Sequence, residues 1–165
     1  MKLKAILFAL LAAVATVTQA APASEMISVS TEFIRDGKTL KKFEFLGQNG
    51  APQPYQELTQ IGYVESAVKN GKKWGPKPGT FVEGINAVIT PRVSSGGEIL
   101  VNYFFDYQKL IRFDKEMFGD VEVQRPISEV FNRSGKFIIP SGESREISAV
   151  VRGVKWQLII TAVRQ

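Results

Sequence analysis

The chain has no cysteine and no histidine. Without cysteine no disulfide can brace the fold, so apolar burial must hold it together. Without histidine the usual general base, the commonest transition-metal ligand and every Ser-His or Cys-His arrangement are missing. Long apolar runs are also scarce: after the first twenty residues no segment approaches the length of a transmembrane helix. A β-barrel span would not announce itself that way, because its alternating pattern is much weaker.

The N-terminal run MKLKAILFALLAAVATVTQA carries Lys2 and Lys4, an apolar stretch from Ala5 to Val17, and small residues Thr18 and Ala20 at the −3 and −1 positions of a cleavage site. This order is that of a secretory signal peptide. Cleavage after Ala20 is expected, since cleavage after Ala21 would leave Pro22 at the +1 position. Residues 1–20 are therefore assigned to the signal and 21–165 to one domain, exported to the periplasm or outer membrane. Removing the signal takes two of 21 basic residues and none of the 16 acidic ones, so 19 − 16 leaves +3. That charge suits a solvated surface and gives no reason to expect a nucleic-acid partner.

The rest reads as β-structure. MISVSTEFI alternates Ile27, Val29, Thr31 and Phe33 with polar neighbours, as a half-buried strand does. Asp36-Gly37 follows, a two-residue hairpin signal, and TLKKFEFLG forms the return strand. QNGAPQPYQ, with its glycine and two prolines, reads as irregular. ELTQIGYVESAVK fits a strand or a short helix, and NGKKWGPKPG reads as a second turn-rich loop. Pro91 then lies in the first arm of a hairpin, ITPRVSSGGEILVNYFF, whose turn is assigned to Gly96-Gly97. In its second arm Ile99, Val101, Tyr103, Phe105 and Tyr107 share an apolar face, while Leu100, Asn102, Phe104, Asp106 and Gln108 share a mixed one. Pro91 cannot donate a ladder hydrogen bond, so its arm is expected at an edge, bulge or strand end. Downstream, VEVQRPISEVF, KFIIP, REISAVVRG and VKWQLIITAVR read as short strands separated by NRSG, SGES and Gly153. The expected fold is one all-β, antiparallel, sandwich-like domain of about eight to ten strands.

Candidate chemistry is sparse. Ser66 and Lys69 match an S-x-x-K pattern, which needs both residues on one helical turn and further motifs that are missing here. Asp106, Asp114, Glu116, Asp120 and Glu122 are interleaved with Lys109, Arg112 and Lys115, the composition of a solvated hairpin rim. No catalytic, cofactor-binding or metal-ligating residues are assigned, and the chain is expected to be non-enzymatic. Lys72, Lys73, Trp74 and Lys77 form the one basic-aromatic cluster, a candidate binding loop for an anionic partner, though a solvated loop has the same composition.

The segment Val82 to Phe105 resembles the conserved core of the secretins, the outer-membrane pores of type II and III secretion, type IV pili and filamentous phage export. The resemblance rests on Gly84, Thr90-Pro91, Arg92, Gly96-Gly97 and the apolar strand from Ile99 to Phe105. Pro54-Tyr55 upstream and Pro126, Gly142 and Glu143 downstream extend it over about residues 45–160 in the same order. The family's Gly-Gly-Leu run and proline-rich lip segment have no counterpart, since SREISAVVRGVKWQL passes straight through. The resemblance implies a secretin-like β-domain that acts in assembly or gating of a secretion, pilus, conjugation or phage-export apparatus. It further implies protein partners in the envelope, homo-oligomers and outer-membrane association. A soluble periplasmic binding or inhibitor module with a β-sandwich fold is the alternative.

Overall fold

A computed structural model describes residues 25–165, which form two four-stranded antiparallel sheets. The signal assigned to residues 1–20 lies outside the described residues. The first sheet has the order β2-β1-β8-β7, from β1 (Met26–Arg35), β2 (Lys38–Gln48), β7 (Ser144–Val151) and β8 (Val154–Arg164). The second has the order β3-β4-β5-β6, from β3 (Gln53–Asn70), β4 (Lys73–Val93), β5 (Ile99–Phe118) and β6 (Val121–Ile139). The described residues are all-β, and their eight strands form a single domain.

Period-two patterning builds the interface between the sheets. Ile27, Val29, Thr31 and Phe33 of β1 are buried, as are Trp156, Leu158, Ile160 and Ala162 of β8. They pack on Ile85, Ala87 and Ile89 of β4, Ile99, Val101, Phe105 and Tyr107 of β5, and Phe131 of β6. Phe33 is the hub: its ring lies 4.7 Å from Phe105, 5.1 Å from Tyr107, 5.5 Å from Phe131 and 5.4 Å from Trp156 between centroids. Aromatic pairs at these distances add to simple area burial. The flanks of the sandwich are stapled as well. Phe43 stacks on Tyr55 at 4.1 Å and Lys41 pairs with Glu57 on one side, while Arg35 reaches Glu129 at 2.6 Å on the other. The lysine, followed by the Tyr55 hydroxyl, holds the Glu57 carboxyl below its usual pKa.

One polar atom sits badly in this core. Thr31 is fully buried and its hydroxyl has no partner. Replacing it by valine keeps the volume and removes the unsatisfied group. Thr31→Val is expected to stabilise the domain by about 1 kcal/mol, raising the melting temperature by about 3 °C. A calorimetric melt showing no rise would mean that the hydroxyl is satisfied in solution.

Several segments differ from their sequence reading. The hairpin signal at Asp36-Gly37 is a two-residue turn with positive φ at both positions, and the separator Gly153 forms a second such turn together with Arg152. The connection at Gly96-Gly97 is instead a five-residue loop, Ser94 to Glu98, closed by the Ser94 N–H bonding to the Glu98 carbonyl at 2.8 Å. Only Gly97 takes positive φ there. QNGAPQPYQ is not wholly irregular, because Gln53 to Gln56 already pair with β4. ELTQIGYVESAVK is strand throughout. NRSG is no turn: it continues β6, and Gly135 lies under the Tyr103 ring, where a Cβ would come within 3.2 Å. NGKKWGPKPG is a turn only at Gly71-Lys72, and β4 starts at Lys73.

Candidate functional site

The strands of the second sheet run 18 to 21 residues, against 8 to 11 in the first. At about 3.3 Å per residue they extend to roughly 60 Å, well past the sandwich. Pairing between β4 and β5 stops at Gly84–Gln108, and beyond it the sheet divides into two hairpins, β3–β4 and β5–β6. Two features sit at the division. Gly84 has φ +128, and a Cβ there would lie 1.9 Å from the Glu57 carbonyl oxygen. The Glu83 carboxylate accepts the Leu110 N–H at 3.0 Å, taking the place of a lost ladder bond.

Beyond the division the hairpins meet again. The Val64 N–H donates to Gln124 Oε1 at 3.2 Å, and Tyr63 stacks on Phe113 at 5.4 Å. Phe81, Val121 and Val123 are buried here, apart from the main core. The Val64 bond shows that its N–H points away from β4. Val64 is paired with Pro78, so the nitrogens of Pro78 and, two residues earlier, Pro76 also face away from β3. They face the side that β5 has left, where no ladder donor is required.

The residues assigned to a binding loop divide accordingly. Only Lys72 lies in the turn, while Lys73, Trp74 and Lys77 are on β4. Trp74 is 36% exposed and rests on the turn of the other hairpin, since a Cβ on Gly119 would lie 2.6 Å from its ring. The Lys69 ammonium lies 5.8 Å from the Trp74 centroid, and Lys77 pairs with Glu65 at 3.0 Å. Trp74 is thus partly an internal contact between hairpin ends. Lys72 and Lys73 face solvent. The same end exposes Val68, Met117 and Phe118 at 53%, 61% and 36%. Sequence reading missed Met117 and Phe118, although two large apolar residues directly before Gly119-Asp120 were a signal for an apolar hairpin end.

The core hairpin residues lie elsewhere. Ile99, Val101 and Phe105 are essentially inaccessible, Pro91 is buried and Tyr103 is half-buried. Pro91 lies beyond Ile89, the last β4 residue in register with β3, so its missing N–H breaks no ladder. Among the carboxylates, Asp114 pairs with Arg112, Glu116 with Arg125 and Glu122 with Lys115. No group of three potential metal ligands occurs among the described residues. Ser66 and Lys69 lie on a strand, where they share no helical turn.

No family model matches the chain, and no curated protein does. Among solved structures it is similar to InvG, the secretin of the Salmonella SPI-1 type III secretion injectisome, seen by near-atomic cryo-EM. That likeness has 10% identity and a TM-score of 0.47, covering 86% of this chain and 62% of the other. In the atomic model of the basal body proteins InvG, PrgH and PrgK the values are 10% and 0.47, covering 86% and 44%. The InvG secretin-domain β-barrel of the same injectisome gives 9% and 0.47, covering 86% and 61%. The chain spans less than two thirds of each. Identity this low leaves a weak, fold-level likeness to a secretin domain of a secretion apparatus.

Proposed function

We propose that this chain is a non-enzymatic, exported envelope protein that assembles through the edges of its long sheet into a ring, serving the assembly or gating of a secretion, pilus, conjugation or phage-export apparatus. The observation that carries the reading is that β3 and β6, of 18 and 19 residues, are the outer strands of the long sheet with no ladder partner on their outer edges, which lie against each other only beyond the division, where Gln124 caps the Val64 N–H. Edges of that length invite pairing with another chain unless blocked. The four strands alternate in direction, so β6 of one copy laid along β3 of the next is antiparallel. Two different edges make a head-to-tail contact, which closes into a ring when the rotation per copy allows it. In a single copy Gln124 caps the Val64 N–H, and a neighbouring strand would displace that cap. At the distal end, Val68, Trp74, Met117 and Phe118 beside Lys69, Lys72 and Lys73 combine apolar and cationic groups. That combination suits contact with an anionic membrane surface.

The edge can be tested directly. Counting in twos from Val64, Gln60 also directs its N–H outward, and its side chain is exposed. Gln60→Pro therefore removes one edge donor and leaves the β3–β4 ladder intact. Light scattering and negative-stain images of the processed protein in mild detergent are expected to show a large ring. Gln60→Pro should shift it to monomer with an unchanged melt. A wild-type protein that stays monomeric in detergent and with lipid would overturn the ring and favour a soluble binding or inhibitor module.

A further inference from the structure

The outward face of the long sheet carries a row that the ring reading does not use. Gln56, Asn86, Asp106 and Asn132 occupy one register position across β3, β4, β5 and β6. Gln56 Nε2 donates to Asn86 Oδ1 at 3.0 Å, and Asn132 Nδ2 donates to Asp106 Oδ1 at 3.3 Å. The outer pair thus orients the inner pair. Asn86 keeps its amide nitrogen uncommitted and Asp106 its second oxygen, a donor and an acceptor on directly opposed residues.

A shallow cleft of about 190 Å³ opens beside this pair. It exists because Gly84 has no side chain in the next register position, between Leu58 and Gln108. Leu58 and Val82, 49% and 40% exposed, form its apolar wall. On the other side of the polar row lies Phe104, 36% exposed, opposite Val88.

The chemistry narrows the ligand. A metal ion would need a cluster of oxygen donors, and no group of three acidic ligands occurs among the described residues. An added peptide strand needs free backbone edges, but β4 and β5 are paired on both sides here. An anion would meet the Asp106 carboxylate with no cation among the residues that line the cleft. What remains is a neutral group whose neighbouring hydroxyls donate and accept at once and whose carbon faces are apolar. Planar amide and carboxylate groups match such hydroxyls, and exposed apolar side chains match such faces. The volume falls below the roughly 300–1,000 Å³ of drug-sized pockets, which limits the ligand to about one ring.

We infer that the outward face of the long sheet, centred on Asn86 and Asp106, binds one sugar ring of a neutral glycan. Asn86 Nδ2 donates to one hydroxyl and Asp106 accepts from the next. Gln108, whose Nε2 donates to Ser128 Oγ at 3.3 Å, offers its amide oxygen as an acceptor at a third position on the cleft wall, and the ring's apolar face lies over Leu58 and Val82. The site is independent of edge pairing, which lies in the plane of the sheet and leaves this face open.

Saturation-transfer NMR reads the ligand and works for a monomer or a ring. The processed protein would be titrated separately with chitotriose and with maltotriose up to about 20 mM, enough to populate a millimolar complex. Saturable transfer to at least one is expected, and the preferred one tells whether acetamido groups are read. Asn86→Ala and Gln108→Ala should each weaken binding about tenfold while the protein still melts cooperatively, since both side chains are half-buried on the outward face and each loses one hydrogen bond, to Gln56 and to Ser128 respectively. Gln108→Ala keeps the test open should Asn86→Ala disturb the row. No transfer from either sugar, or transfer that survives both substitutions, would overturn the inference. Loss of the ring in Gln60→Pro with sugar binding intact would separate this site from the assembly reading.

Discussion

Val101→Asp is expected to abolish folding or to lower stability by several kcal/mol, while Lys73→Ala stays within about half a kcal/mol. Val101 is fully inaccessible and lies in the middle of the long sheet, opposite Pro91 on β4 and Phe137 on β6. Its side chain faces the first sheet through the shared core. An aspartate there must be buried without a partner or must push the sheets apart. Domains of this size have about 5–15 kcal/mol to lose in total, so one such carboxylate takes a large share. Lys73 begins β4 at the distal end, exposed and without an ion pair among the described residues. Urea melts of the two variants decide it. Equal midpoints would show that β5 does not carry the core.

Local pattern was enough to read the sandwich. Alternation marked β1 and the near half of β5, β-rich composition marked β8, and the Asp-Gly turn placed the first hairpin. The open edge at Pro91 follows from a rule about donors that needs no tertiary information. Strand length was not legible, because it depends on what lies beside the strand. Pro76 and Pro78 suggest a loop until it is known that β5 has left that side of β4. Gly135 suggests a turn until the Tyr103 ring is placed over it. The distal contacts Tyr63–Phe113 and Trp74–Gly119 join residues about fifty apart, and nothing local announces them. Trp74 was therefore legible as an aromatic beside lysines, but not as the residue that rests one hairpin end on the other. The row from Gln56 to Asn132 was invisible for the same reason. Its four members look unrelated until four strands are in register.

The division of the long sheet rests on Gly84, and Gly84→Ala is expected to destabilise the domain by at least about 3 kcal/mol. Two costs combine. At φ +128 any side chain is strained, and the added Cβ would lie 1.9 Å from the Glu57 carbonyl oxygen. That oxygen belongs to the backbone, so no rotamer change relieves the overlap, and β3 must move relative to β4. Gly62 provides the control, since a Cβ there meets nothing within 4 Å and its φ lies outside the left-handed range. Gly62→Ala should be neutral or slightly stabilising, because alanine lowers the entropy of the unfolded chain. The comparison also reaches the distal end. Shifting β3 against β4 at Gly84 displaces Tyr63 and Val64, and with them the contacts to Phe113 and Gln124 that hold the hairpins together. Hydrogen exchange of the Val64 amide should therefore accelerate in Gly84→Ala and stay slow in Gly62→Ala. If both variants melt together and exchange alike, the glycine is incidental and the Glu83–Leu110 bond alone sets where the strands part.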